Sequence, residues 1–162
     1  MKKSTNQNSG FTLIELLIVI AIIGILTAIG LIVLSNSRER ARDIKRKTDL
    51  NSVKLGLELY FDSFNAYPSQ DTFLGFSNAT GAGNLVYDSL VGNAKFISSL
   101  PQTPLAGELY YYRSCVPAGQ TGYTDYTLYS RLEQPTVPGN FWIISKSKAT
   151  SQEVNSVNCP QT

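Results

Sequence analysis

The chain has 162 residues, no histidine, two cysteines, and 14 basic side chains against 12 acidic ones. That length fits one modest domain plus an appendage. Without histidine the commonest general base and metal ligand is missing, and no dense run of acidic oxygen ligands replaces it. Hydrolytic and metal-dependent chemistry is excluded as a first reading, and neither a cofactor nor a metal is expected.

Residues 1–10 hold Lys2 and Lys3 among polar neighbours, with no apolar core of their own, so they read as a processed leader. From Phe11 to Leu34 the run is apolar, and Glu15 is its single ionisable side chain. As a helix rising about 1.5 Å per residue it spans roughly 36 Å, enough to cross a bilayer core of about 30 Å. A lone carboxylate in lipid is expensive and needs a partner or water, and the positive end of a helix favours it. Gly24 and Gly30 weaken the interior of the span, which suits either close helix contact or a segment that stretches.

The head of that run, Gly10-Phe11-Thr12-Leu13-Ile14-Glu15 behind a short basic leader, resembles the class III signal of type IV pilins and type II secretion pseudopilins. The likeness is close over roughly residues 8 to 35 and looser to about residue 145. It implies cleavage after Gly10 by a membrane aspartyl prepilin peptidase, and N-methylation of Phe11 as the new terminus. It implies that Glu15 pairs with the Phe11 ammonium of a neighbouring subunit during assembly. The implied fold is α+β, a long N-terminal helix packed on a small antiparallel sheet.

The implied function is a structural subunit of a type IV pilus, serving adhesion, motility or DNA uptake, and not an enzyme. A pseudopilin of a secretion or competence system, or a minor tip pilin that binds DNA or a host surface, is the alternative. The plainest alternative is a signal anchor with a stray glutamate. Implied partners are copies of the chain itself, the prepilin peptidase, an assembly platform with its ATPase, and the bilayer before assembly. Many pilins carry proline where this chain has Ile32, so the helix melting seen in family filaments is not implied here.

Orientation sets two rules against each other. Lys2 and Lys3 favour a cytoplasmic N-terminus, whereas the basic residues of 38–54 would by count draw the other end inside. An N-terminus inside and a head outside is the expectation, since the leader must meet a cytoplasmic-face peptidase. The chain is then a single-pass protein of the cytoplasmic membrane, and afterwards part of an extracellular pilus or a periplasmic or cell-wall pseudopilus.

Residues 35–66 read as an amphipathic stalk. Ala41, Ile44, Leu50, Val53, Leu57, Tyr60, Phe61 and Phe64 recur near helical spacing and are expected to carry the sheet, with the basic residues opposite. Asn65-Ala66-Tyr67-Pro68 ends the helix, because a residue before proline is biased away from helical angles. Residues 67–107 are rich in Ser, Gly, Asn and Pro and read as a connection, with a short helix near 85–99. The Asn78-Ala79-Thr80 triplet fits a glycan acceptor, but chance explains so short a match.

Residues 108–162 hold three strand-like runs, 109–113, 123–132 and 141–145, separated by turn signals, and predict an antiparallel meander. Their tyrosines suit core and cross-strand pairs better than a DNA-stacking surface. Cys115 and Cys159 lie 44 positions apart and read as a disulfide in an exported domain, or as two free thiols in a reducing compartment.

Overall fold

A computed structural model describes residues 10–78, 81, 83–92, 95–135, 141–146 and 152–154, with 30–33 and 152–154 by backbone only. The chain divides into two units, one running to Arg38 and one from Glu39 onward. Helix α1, Leu13–Phe64, supplies residues to both. In the first unit the described apolar side chains are exposed, Phe11 just before the helix by 88% and Leu13, Ile14, Ile25 and Leu26 within it by more than half. Among the described residues this is the one helix long and apolar enough to cross a membrane, with a mean hydropathy of 3.2 over its most apolar stretch.

The second unit is α+β. Strands β1 Leu74–Phe76, β2 Tyr110–Cys115, β3 Asp125–Arg131, β4 Phe141–Ser145 and β5 Gln152–Val154 form one sheet in chain order, each antiparallel to the next. Between β1 and β2 lie α2, Leu85–Tyr87, and a π-helical turn, Asp88–Gly92. β2, β3 and β4 fall where the alternating runs place strands. β1 and β5 extend the meander at its two edges and carry no comparable signal of their own.

The core joins Leu50, Val53 and Leu57 of α1 to Phe76, Tyr110, Tyr112, Tyr126, Leu128 and Ile144 of the sheet, with Val86, Leu90 and Leu100 closing one side. Each buried phenol finds an acceptor, as a hydroxyl out of water must. Tyr110 donates to Asp49 (2.6 Å), Tyr112 to the Pro68 carbonyl (2.6 Å), and Tyr67 and Tyr126 to the two oxygens of Glu58 (3.1 Å each). Burial pushes all four hydroxyl pKa values far above the ordinary range.

The stalk stripe differs from its sequence expectation. Ile44 is 65% exposed and Phe64 56%, and Ala41 is exposed too, so none of these faces the core as expected. The buried face runs Asp43, Arg46, Leu50, Val53, Leu57, a regular three-and-four spacing whose first two members are charged. Ile44 sits six residues before Leu50, about 120° round the helix, and so points away. The basic run is likewise not wholly opposite the sheet, for Arg46 is only 1% exposed.

α1 ends at Phe64 because Asn65 turns to φ 52°, the left-handed angle of a helix cap, while its N–H donates to the Phe61 carbonyl (2.8 Å). Asparagine tolerates that angle and a β-branched residue does not. Asn65→Val is expected to lower unfolding stability by about 1–2 kcal/mol, and Asn65→Gly to be near neutral. Urea unfolding of the two variants checks this, and equal stabilities would remove the cap from the account.

Candidate functional site

The helix head is built as a reciprocal cap. Thr12 is the last residue before α1, and its carbonyl accepts from Leu16 N–H (3.3 Å). Glu15 N–H donates to Thr12 Oγ1 (3.3 Å), while Thr12 N–H (2.8 Å) and Thr12 Oγ1 (2.7 Å) both donate to Glu15 Oε2. This is the capping-box arrangement, in which threonine and a glutamate three residues on satisfy each other's backbone donors. The carboxylate also lies at the positive end of the helix dipole. Both bonds use the same oxygen, and Oε1 has no partner among the described residues. Gly10 and Phe11 precede the cap and are exposed.

In the second unit a buried ionic clasp ties α1 to the loop after β3. Arg46 Nη1 donates to Asp43 Oδ1 (2.7 Å) and pairs with Glu133 Oε1 (2.7 Å), and Nη2 donates to both oxygens of Glu108 (2.8 Å each). Arg42 holds Glu133 from the other side through Nε (2.8 Å) and Nη2. Asp43 accepts from the backbone N–H groups of Glu133 (3.0 Å to Oδ1) and Gln134 (2.8 Å to Oδ2). The hydrogen bond from Arg42, helped by Arg46, draws the Glu133 carboxyl down to about 2 against partial burial.

Cys115 ends β2 and is buried, with its Sγ 3.8 Å from Thr127 Oγ1. Cys159 lies outside the described residues.

Residues 5–31 match the prokaryotic N-terminal methylation motif. The chain is 36% identical over 75 residues to the type IV major pilin PilA of Myxococcus xanthus, a match covering 46% of this chain and 34% of that protein. It is 39% identical over 64 residues to the type II secretion system core protein G of Pseudomonas aeruginosa, covering 39% of this chain and 44% of that one. The core protein G of Vibrio cholerae is 35% identical over 71 residues, covering 44% and 48%. Through this motif and the helix that follows it, the chain is similar to type IV pilins and type II secretion pseudopilins.

It spans less than half the length of these relatives. No solved structure matches. Pilins and pseudopilins are structural proteins and not enzymes. The structure brings Glu15 together with Thr12, a residue the sequence reading did not single out, although threonine three places before glutamate is a legible cap signal. It missed the clasp for a different reason, since Asp43 and Arg46 occupy core positions that hydrophobic periodicity does not count.

Proposed function

We propose that the chain is a structural subunit of a type IV pilus, inserted in the cytoplasmic membrane by residues 11–34 with its N-terminus inside. A prepilin peptidase cuts after Gly10 and methylates Phe11, and the subunit then polymerises through its N-terminal helix. The observation that carries this reading is the half-satisfied Glu15 carboxylate at the head of an exposed apolar helix. Oε2 is held within the chain, which lowers the cost of a carboxylate waiting in lipid. Oε1 is open to the cation a neighbour would bring, and a new terminus at Phe11 would supply one.

The type II secretion relatives favour a second reading, a pseudopilin of a short periplasmic or cell-wall fibre. Mass spectrometry of the N-terminal peptide from sheared surface material, with electron microscopy of that material, separates the two. A methylated Phe11 terminus from long filaments is expected. The same terminus confined to membranes supports the pseudopilin, and an intact Met1 overturns the cleavage.

Cys115 pairs with Cys159 in this proposal, closing a loop that stabilises the head by about 3–4 kcal/mol in the chain-entropy account. Cys115→Ser with Cys159→Ser is expected to lower the unfolding midpoint by that equivalent. Free-thiol labelling of the native wild type, if positive, would end the pairing.

A further inference from the structure

β-Strand alternation gives the sheet a second face. Tyr110 and Tyr112 point to the core, so Tyr111 points away from it, and register sets Tyr111 opposite Tyr129. The two rings stack at 4.7 Å and 8°. Phe141 meets Tyr129 edge-on at 5.5 Å, and Phe73 does so at 4.9 Å from the other side. Beside this group is a cavity of about 420 Å³ whose walls include Leu109, Tyr111, Tyr129, Phe141, Glu108 and Arg131. That volume lies within the range of small-molecule sites, about 300–1,000 Å³.

Glu108 at this cavity is held by Arg46, but three other polar groups there are uncommitted. Neither the Tyr111 nor the Tyr129 hydroxyl has a hydrogen-bond partner among the described residues, unlike every fully buried tyrosine of the core. Arg131 is exposed and has no side-chain partner among them either. A polar recess of about 390 Å³ shares Glu108 and Arg131 with the cavity and adds Glu39 and Glu133. An aromatic floor therefore runs into a rim of donors and acceptors.

Charge selects among ligands that stack on aromatic rings. Single-stranded nucleic acid needs a basic groove for its phosphates. Here Arg131 is the one cation lining the cavity and its recess among the described residues, beside Glu39, Glu108 and Glu133. The Arg42 and Arg46 charges are already spent on Glu108, Glu133 and Asp43, so this lining offers a polyanion no basic groove. A neutral sugar has the complementary chemistry, an apolar C–H face for the rings and hydroxyls that both donate to carboxylates and accept from a guanidinium. We infer that the outer sheet face around Tyr111, Tyr129, Phe141 and Arg131 is a binding site for a neutral oligosaccharide. The inference stands on the second unit alone and does not depend on polymerisation.

The test titrates the full chain, in zwitterionic phosphocholine micelles, with cellotetraose, with maltotetraose and with single-stranded oligothymidine by calorimetry. Glycoside detergents are excluded because they carry the ligand's own chemistry. One tetrasaccharide is expected to saturate below about 10 mM, and Tyr129→Ala and Arg131→Ala each to weaken it at least about tenfold. Tyr129→Phe keeps the stack and is expected to retain most of the binding. Arg131 is exposed, so its variant remains informative should Tyr129→Ala fail to fold. Three results overturn the assignment: no saturation by either sugar, sugar binding unchanged in Arg131→Ala, or salt-sensitive binding of oligothymidine alone.

Discussion

A Glu15→Ala chain is expected to insert in the membrane and to be cleaved, but to yield at least about tenfold less filament than wild type, the factor that about 1.4 kcal/mol at one equilibrium step already gives. Alanine removes two things together, the acceptor of the cap and the negative charge. Glu15→Gln separates them, because glutamine also serves at the third helical position of a capping box yet carries no charge. On the proposed mechanism Glu15→Gln fails nearly as badly as alanine, since the neighbour's ammonium then finds no anion. Thr12→Ala makes the opposite cut: the charge stays, the bonds from Thr12 Oγ1 go, and only the backbone N–H of residue 12 can still hold Oε2. Its filament yield is expected to fall less than that of Glu15→Gln. Quantitative immunoblotting of sheared and membrane fractions reads all three. Wild-type yield from Glu15→Gln would assign the residue to helix capping and remove the intersubunit pairing.

What could be read from the chain depended on whether a residue obeyed the period of its element. The apolar run to Leu34 and the alternating Tyr123–Leu132 segment announce a span and a strand, because every second or every third and fourth residue says the same thing. β1 could not be read, being three residues with Gly75 at its centre in a Gly- and Ser-rich stretch. Gly75 is informative only in three dimensions, where a Cβ would come within 2.6 Å of the Leu109 side chain that crosses it. At the stalk, counting back from Leu50 by four and three reaches Arg46 and Asp43, and the regular spacing was there to be seen. Hydrophobic preference passed them over for Ile44, which the helix turns to solvent. The Glu133-Gln134 pair looked like plain turn composition, although its two N–H groups are what Asp43 holds.

The clasp carries the largest stability effect. Arg46→Ala leaves Asp43, Glu108 and Glu133 facing one another with Arg42 as the remaining cation of the network, and Asp43 is only 5% exposed. Removing one partner of a buried pair costs about 3–5 kcal/mol, a large share of a domain's total of about 5–15. Arg46→Lys keeps the charge but loses the planar fork that reaches two acids at once, so it is expected to fall between. Urea unfolding of the full chain in micelles should show a lower midpoint with an unchanged slope, the sign of lost stability without a changed unfolded state. The pH dependence follows from Glu133, whose carboxyl is drawn from its ordinary 4.5 to about 2. A folded value below the unfolded one stabilises above the ordinary carboxylate range, and that contribution is lost as pH falls toward 2. Wild type should therefore keep part of this stabilisation near pH 3, and Arg46→Ala should begin to unfold in acid closer to pH 4, as far as Arg42 alone fails to hold Glu133 down. Acid titrations followed by circular dichroism decide the matter: coincident midpoints for the two chains would mean that the arginine fork does not set the acid limit of the fold.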